Sequence, residues 1–257
     1  MATFRPLTEN RSLKVGTYIG EFATPGIGAI LKSAGCEFVF LDMEHSAFTF
    51  ETAKAVLRTL HDAGIATLLR PPSQTSHHLA RACDVGAQGI CPPMMGTPEQ
   101  AQACIDAINY PPLGKRGAAF AIAHDDYQPR SVAEAIEHAN GKTSFVALLE
   151  TAEGVESCEK IAALEGCDCL WIGHFDLSNS LGIPGEFDNP IFVDAVARIM
   201  AAATAANKSV GRLVGSAEEA AKLNAEGCDF ICYLGDIWLY HNALRDGLSA
   251  VRAAIDE

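Results

Sequence analysis

The chain has 257 residues, with 32 acidic against 19 basic side chains and a formal net charge of −13. That balance argues against nucleic acid and anionic membranes as partners, because both bind through clustered Lys and Arg. It leaves room for a small anionic substrate, which one or two local cations can hold. Residues 1–16 lack the apolar core of a signal peptide, and no run of 18 apolar residues follows.

Nine cysteines are spread along the sequence without a C-x-x-C pair. Most lie in apolar runs such as FICYL, where a thiol packs as a small apolar side chain. Their odd number and these surroundings predict reduced core thiols rather than disulfides or a zinc site. Together with the missing signal peptide, they predict a cytoplasmic protein.

Short, nearly continuously apolar runs alternate with helical stretches, as buried parallel strands alternate with helices in α/β folds. The predicted strands are 15–20, 37–43, 66–70, 89–94, 144–150, 169–176, 209–215 and 230–236. The predicted helices are 25–34, 50–63, 76–86, 98–108, 131–139, 154–165, 190–206, 216–226 and the segment after 236. The stretch 109–130, rich in Gly and Pro, is too long for an ordinary connection and is predicted to be a functional loop.

Eight strands that are each followed by a helix favour a closed barrel over an open doubly wound sheet. An open doubly wound sheet would favour a Gly-rich phosphate-binding motif after the first strand, and this sequence has none there. The length is also close to the roughly 250 residues of one (β/α)8 barrel. The sequence therefore predicts an α/β protein with a single (β/α)8 TIM barrel over residues 1–257.

Polar side chains stand at or just after six of the predicted strand ends. In a (β/α)8 barrel the functional site lies at the carboxyl ends of the strands, so these side chains are the first candidates for it. They are Asp42, Glu44, His45, Arg70, Glu150, His174, Asp176, Arg212 and Asp236.

Two of these carboxylates are candidate metal ligands. Glu150 and Asp176 end neighbouring strands, so they can converge on one point. Two oxygen ligands with room for water and substrate suit Mg²⁺, Mn²⁺ or Co²⁺ better than zinc. Alternatively, both acids stabilise the starts of the helices that follow them. Glu150 would then interact with a helix dipole, and Asp176 would be an N-cap. From the residues alone, both interpretations stay open.

Proton transfer and anion binding have candidates of their own. His45 can transfer a proton, with Asp42 close enough in the chain to orient its imidazole; alternatively it pairs with Glu44 in a loop. Arg70 can hold a carboxylate through two parallel hydrogen bonds and offset the charge of an enolate. The alternative for Arg70 is an ion pair with Asp42 or Glu44 that braces the barrel rim. His174 is either a third metal ligand or a residue that supports the ligands.

Across nearly its whole length the sequence resembles the HpcH/HpaI family of class II, metal-dependent pyruvate aldolases. The resemblance rests on the order and spacing of six segments, since no single one would suffice. They are LDMEHS at 41–46, LLRPP at 68–72, ACDVGAQGICPP at 82–93, YPPLGKRG at 110–117, LLETAEGVE at 148–156 and IGHFDLSNSLGIPG at 172–185.

The resemblance implies a metal site and a reaction. Glu150 and Asp176 match the ligands of a divalent metal, and Arg70 matches the arginine that steadies the pyruvate enolate. The implied reaction is the reversible cleavage of a 4-hydroxy-2-oxo acid into pyruvate or hydroxypyruvate and an aldehyde. Two alternatives are a decarboxylase of an oxaloacetate-like 2-oxo acid and a non-catalytic 2-oxo-acid-binding barrel.

The resemblance also implies a proton-transfer dyad and an assembly. Asp42 and His45 match a pair that handles the proton of the aldol hydroxyl, and Asp84 matches a residue that closes the site of a neighbouring subunit. Family members form a homohexamer, a dimer of trimers, in which the last helix is exchanged between subunits. Here the helix after Asp236 would be the exchanged element.

Two departures from the family pattern adjoin the expected substrate site. Leu148 stands where the family usually has a glutamine that contacts the oxo acid. His174 stands where a proline usually precedes the metal-binding segment. We expect Leu148, His174 and Phe175 to line the substrate site beside Arg70, and thereby to affect which oxo acid or aldehyde is accepted.

Overall fold

The computed structural model describes residues 3–256, and in it eight parallel strands close into a barrel. Each strand pairs with the next along the chain, and the first pairs with the last. The strands are β1 Lys14–Ile19, β2 Phe38–Asp42, β3 Ala66–Arg70, β4 Gly89–Ile90, β5 Ser144–Leu149, β6 Cys167–Ile172, β7 Ser209–Val214 and β8 Phe230–Gly235. The predicted (β/α)8 barrel is confirmed.

Helices surround the barrel and account for the amphipathic stretches between the strands. They are α1 Arg5–Thr8, α2 Ile27–Ser33, α3 Phe50–Asp62, α4 Ser76–Asp84, α5 Pro98–Ile108, α6 Val132–Lys142, α7 Ala152–Ala162, α8 His174–Ser180, α9 Pro190–Ala205, α10 Ala217–Ala225 and α11 Asp236–Asp256. Side-chain caps define several of their starts. Thr97 and Gln100 form a capping box at the predicted start of α5, where Pro98 occupies the first turn. Within residues 3–256, no helix is both long and apolar enough to cross a membrane.

Two predicted strands were wrong in extent. The strand predicted over 89–94 is only Gly89–Ile90, since Pro92 and Pro93 have no N–H to donate to a neighbouring strand. The strand predicted over 169–176 ends at Ile172, and α8 begins at His174. The side chains of residues 174–176 therefore project from the first turn of a helix instead of from a strand end.

The N-terminal segment, which the sequence did not predict to be helical, contributes to the core inside the barrel. Phe4 is fully buried and stacks on Phe230 with ring centroids 5.2 Å apart. Beside it, Lys14 donates to Asp229 at 2.9 Å, and both side chains are almost fully buried. Burying this charge pair is tolerable because each partner neutralises the other.

The seam between β1 and β8 is held at both ends by hydrogen-bonded carboxylates. At the start of the strands, Asp229 accepts from Lys14. At their carboxyl ends, Asp236 accepts from the backbone N–H groups of residues 20–22 at 2.7–3.3 Å. Asp236, which the sequence marked as a candidate site residue, thus joins the loop after β1 to the start of α11.

Helix α11 carries a long apolar stripe that its own barrel does not cover. The α11 stripe consists of Tyr240, Leu244, Leu248, Val251 and Ile255. These residues are spaced by three or four positions, so they lie on one face of the helix. Their exposed fractions run from 44% to 76%, whereas a helix of this length normally buries such a face.

Candidate active site

A cavity of about 360 Å³ opens at the carboxyl ends of the strands. Its floor lies inside the barrel, and its mouth is formed by the segments that follow β2, β6 and β8. Five of the predicted site residues line it together: His45, Arg70, Glu150, His174 and Asp176. Phe175 and Leu148, predicted to contact the substrate, line it as well.

Glu150 is held in one position within this cavity. Its Oε1 accepts a 2.6 Å hydrogen bond from the backbone N–H of Met94, and its side chain packs against Gly173. A Cβ at Gly173 would lie only 2.4 Å from Oε2 of Glu150, so this glycine is what lets the carboxylate occupy its place. Burial raises the pKa of Glu150 to about 7, and the charges of Asp176 and Glu44 act in the same direction.

These carboxylates form a donor set that fits a divalent cation. Burial and the neighbouring acids raise the pKa of Glu150, so its ionised form lacks enough nearby positive charge to offset its own. Glu150 and Asp176 both line the cavity and offer hard oxygen atoms. No group of three or more His, Cys, Asp or Glu side chains in the described part of the chain is arranged to hold a metal. That Glu150 and Asp176 are the ligands of the metal stays a prediction.

Asp42 lies beneath the cavity and collects five hydrogen bonds. Arg70 donates to both of its oxygens at 2.7 and 2.9 Å, and the Tyr18 hydroxyl donates to Oδ2 at 2.8 Å. The backbone N–H groups of Glu44 and His45 donate at 3.0 and 3.2 Å. Burial opposes ionisation of Asp42, but the hydrogen bonds from Arg70 and Tyr18 outweigh it and lower the pKa of the carboxyl. Asp42 is thus a fixed anion that anchors its surroundings.

The His45 imidazole does not contact the Asp42 carboxylate. Its Nε2 lies 3.7 Å from Oε2 of Glu44, and its side chain is 61% exposed. Asp42 instead accepts from the main chain of His45. Of the two arrangements that the sequence allowed, the structure contains the pairing with Glu44. The role of His45 in proton transfer stays a prediction.

Arg70 braces the rim and still faces the cavity. Besides Asp42, its guanidinium contacts Glu44, with Nη1 3.2 Å from Oε2. Nε and Nη2 thus donate to Asp42 and Nη1 forms an ion pair with Glu44, while the terminal nitrogens keep further hydrogens. The ion-pair alternative is therefore present, and it leaves donors for a substrate oxygen.

His174 packs among aromatic rings. Its ring centroid lies 4.2 Å from that of Phe175 and 5.3 Å from that of Phe187. Burial and the nearby charge of Arg212 lower the pKa of His174 to about 3, so the imidazole is neutral near pH 7. The rings that surround His174 favour a packing role at the cavity edge over that of a third ligand.

Asp84 does not line this cavity in its own chain. It is the last residue of α4, and this helix leads away from the carboxyl end of β3. Asp84 accepts from Arg116 at 2.6 Å, and Arg116 lies over the Tyr110 ring at 4.5 Å. Any catalytic role of Asp84 therefore has to be in another subunit, which the resemblance implies.

Arg212, another strand-end candidate, lies outside the barrel. Its guanidinium pairs with Glu219 at 3.1 Å and lies over the ring of Phe192 on α9. Consecutive residues of a strand point to opposite faces, so it is Leu213 that points inward and lines the cavity. The sequence position of Arg212 near a strand end was therefore misleading.

Sequence reasoning missed Tyr18 and the start of α11. Tyr18 lines the cavity, and its ring packs on Trp238 with centroids 5.5 Å apart. A phenol in an otherwise apolar strand was the available signal, because a buried tyrosine hydroxyl needs a partner. Ile237 and Trp238 follow β8 directly and also line the cavity.

Together, fold and site define a (β/α)8-barrel enzyme with a carboxylate pair, an arginine and a histidine at its C-terminal face. The HpcH/HpaI aldolase/citrate lyase family description matches residues 20–237. The chain belongs to this family, and it is accordingly an aldolase, an enzyme that acts on carbon–carbon bonds.

Named relatives and solved structures agree with this assignment. A hydroxypyruvate/pyruvate aldolase of Deinococcus radiodurans is 30% identical over 243 residues, covering 95% of this chain and 87% of the relative. A 2-keto-3-deoxy-L-rhamnonate aldolase of Salmonella typhi is 27% identical, covering 97% and 93%. The crystal structure of an HpcH/HpaI aldolase from Desulfitobacterium hafniense superposes with a TM-score of 0.92 at 26% identity, covering 98% and 97%.

Proposed function

We propose that this protein is a metal-dependent aldolase that reversibly cleaves a 4-hydroxy-2-oxo acid into pyruvate or hydroxypyruvate and an aldehyde. The observation that carries the proposal is the convergence of Glu150, Asp176 and Arg70 on one cavity at the C-terminal face. Relatives named for aldolase reactions of pyruvate and hydroxypyruvate support the choice of 2-oxo acid.

In this proposal, Glu150 and Asp176 hold Mg²⁺, Mn²⁺ or Co²⁺. When bound, such an ion supplies Lewis acidity that makes a C3 proton of the 2-oxo acid easier to remove. The chain prepares for it by fixing Glu150 between Met94 and Gly173. A ligand that is already oriented loses little freedom on binding.

Arg70 binds the oxygen on which negative charge develops. Asp42 and Glu44 both hold the guanidinium, so it does not need to reorient during the reaction. Its remaining N–H groups are available to the substrate carboxylate or enolate oxygen. Asp42 acts through Arg70 and through the main chain of residues 44 and 45.

His45 moves the proton of the 4-hydroxyl group. Its imidazole is exposed at the cavity, and Glu44 is the carboxylate near enough to orient it. In the cleavage direction Nε2 accepts the hydroxyl proton while the C3–C4 bond breaks and the aldehyde forms, and it then delivers this proton to C3 of the enolate. In the addition direction the same nitrogen takes a proton from C3 and returns it to the new hydroxyl group.

The test is solvent deuterium exchange into the methyl group of pyruvate, followed by NMR with and without Mn²⁺. We expect metal-dependent exchange that is lost in Arg70→Ala and His45→Ala but kept in His77→Ala, which changes an exposed histidine on α4. Absence of exchange with every divalent metal, on folded protein, would refute the proposal. Exchange without any aldehyde accepted, but with oxaloacetate decarboxylated, would replace the aldolase by a decarboxylase.

The homohexamer and its exchanged α11 are part of the proposal. Their support is the exposed α11 stripe, which a second subunit would cover. We expect Leu244→Glu with Leu248→Glu to reduce the mass measured by light scattering. If Asp84 acts in a neighbouring subunit, inactive Asp84→Ala and His45→Ala proteins should regain activity when they are refolded together. Lack of recovery would place Asp84 outside the site.

The cytoplasm is the proposed compartment, and the cysteines support it. All nine are free thiols. Burial raises the pKa of Cys104 to about 12 and that of Cys83 to about 11, so these thiols are not ionised near pH 7. Such cysteines behave as core residues and not as nucleophiles.

A further inference from the structure

The side-chain amide of Gln74 connects two loops at the carboxyl end of the barrel. Its Nε2 donates to the carbonyl oxygen of Pro93 at 2.7 Å and to that of Met94 at 2.8 Å. Gln74 lies in the loop between β3 and α4, whereas Pro93 and Met94 lie between β4 and α5. A carbonyl oxygen can only accept, so the NH₂ end of the amide has to face both of them. The Gln74 amide is therefore committed to the loop after β4.

This amide also determines where one backbone N–H group points. The carbonyl oxygen of Pro93 and the N–H of Met94 belong to the same peptide group, and in a planar trans peptide they point in opposite directions. The N–H of Met94 donates to Oε1 of Glu150 at 2.6 Å. When Gln74 fixes the direction of the Pro93 carbonyl, it therefore also fixes the direction of the hydrogen bond that Glu150 accepts.

Met94 has a backbone conformation that needs support. Its φ is 57°, in the left-handed region that residues with a Cβ disfavour. Such a residue persists where its surroundings determine the conformation. Glu150 accepts from the peptide before Met94, and the Leu148 carbonyl accepts from the peptide after it at 3.0 Å. Gln74 donates to both peptides, so it holds Met94 from the side opposite to these two acceptors.

The loop that carries Gln74 is itself held in place. Two prolines follow Arg70 directly, and their rings restrict the backbone between Arg70 and Gln74. The N–H of Thr75 donates to the Ser73 hydroxyl at 3.2 Å, and that hydroxyl lies 2.8 Å from Nδ1 of His78 on α4. The Gln74 amide thus projects from a loop that is fixed at both of its ends.

We infer that Gln74 is a positioning residue for the metal ligand Glu150 and that it acts through the main chain of Met94. The inference rests on the proposed function, in which Glu150 and Asp176 hold the divalent metal. Gln74 does not line the cavity, so its effect on the metal has to pass through the backbone. Without the Gln74 amide, Met94 can relax toward an ordinary φ, and its N–H then turns away from Oε1. The carboxylate thereby gains freedom that metal binding has to remove.

Hydrogen exchange of the metal-free protein tests the first step. Two prolines precede Met94 and have no N–H, so a peptide covering residues 92–96 reports the N–H groups of residues 94–96. Gln74→Met keeps the approximate size of the side chain and removes its donor. We expect these N–H groups to exchange about tenfold faster in this variant than in the parent, as measured by mass spectrometry. Unchanged exchange would overturn the inference.

Calorimetric titration with Mn²⁺ tests the second step. The loss of a residue that supports a metal ligand costs on the order of 10–100-fold in affinity, so we expect the Kd for Mn²⁺ to rise about tenfold in Gln74→Met. Gln102→Met is the matched control, because it removes a hydrogen bond from Gln102 to Asp106 on α5, and it should bind Mn²⁺ as the parent does. If Gln74→Met lowers only the melting temperature and keeps the parental affinity, the inference is overturned.

The substitution Met94→Gly separates the backbone route from other effects of changing Gln74. Glycine adopts positive φ values readily, so position 94 then needs less support. We expect Gln74→Met to raise the Kd for Mn²⁺ about tenfold in the parent but only about two- to threefold when it is combined with Met94→Gly. An equal rise in both backgrounds would overturn the route through Met94, and with it the inference.

Failure of the proposed function gives a different result. If the parent does not bind Mn²⁺, or if Glu150→Gln leaves the affinity for Mn²⁺ unchanged, Glu150 is not a metal ligand. The proposed function and the inference are then both refuted. If Glu150→Gln weakens the binding of Mn²⁺ while Gln74→Met does not, the inference alone is refuted.

Discussion

Replacing Gly173 by alanine tests how the position of Glu150 is determined. The new Cβ would lie 2.4 Å from Oε2 and 2.7 Å from Cβ of Glu150. Nonbonded carbon and oxygen atoms rest near 3.5 Å, so the carboxylate must retreat by about 1 Å. Gly173 has φ −89°, which alanine adopts without left-handed strain, so the contact with Glu150 is the cause of the effect.

A displacement of that size should lower activity more than stability. Misplacing a reacting group by about 1 Å costs on the order of 10²-fold in rate. Overpacking a well-filled site costs about 1–3 kcal/mol of unfolding free energy. We therefore expect Gly173→Ala to fold, to bind Mn²⁺ more weakly and to exchange the pyruvate methyl group about 10²-fold more slowly.

The assay pairs NMR exchange rates with calorimetric titration of Mn²⁺ and circular dichroism melting. Gly215→Ala is the matched control, because the nearest heavy atom to its new Cβ would be 3.9 Å away. This variant should exchange at close to the parental rate. Parental exchange and parental Mn²⁺ affinity in Gly173→Ala would refute the argument that Gly173 sets the position of Glu150.

Three further substitutions have defined outcomes. Arg70→Lys should lower the exchange rate by about 10²-fold with an unchanged circular dichroism spectrum. The reason is that lysine lacks the planar guanidinium group that can bind Asp42 and the substrate at the same time. Near-normal turnover would contradict that role. Tyr18→Phe removes one of five donors to Asp42 and should cost about 1 kcal/mol in urea unfolding, whereas an unchanged midpoint would show the bond to be dispensable. Burial lowers the pKa of His61 to about 4 from an ordinary 6.5, so its neutral form contributes stability above pH 6.5 that is lost as the pH falls toward 4. Between pH 6.5 and 4, the free energy of unfolding of His61→Gln should therefore fall by about 3 kcal/mol less than that of the parent protein, as measured by melting at several pH values. Equal decreases would count against the buried neutral imidazole.

The order of the barrel strands could be predicted because buried parallel strands are continuously apolar and alternate with amphipathic helices. Boundaries were less predictable where backbone chemistry intervenes. Pro92 and Pro93 end the fourth strand early. Phe4 enters the barrel core from a segment whose short helix has no amphipathic pattern to reveal it.

At the site, residue types were easier to predict than the contacts they make. Strand ends identified Glu150, Asp176 and Arg70, since barrel topology brings strand ends together. The direction of the His45 ring depends on its rotamer and on Glu44, and neither is encoded by strand periodicity. Tyr18 was missed because its partner, Asp42, is 24 residues away in sequence.

Closure of the β1–β8 seam bears on how the chain folds during its synthesis. Its hydrogen bonds join residues 214–216 positions apart, among the most distant contacts that the chain can make. Until β8 has been made, β1 has an unpaired edge, and unpaired edges promote association with other chains. A nascent chain that ends before Asp236 contains every strand residue, yet the carboxyl end of its seam lacks the acceptor for residues 20–22. Barrel closure therefore has to wait for the synthesis of β8 and Asp236.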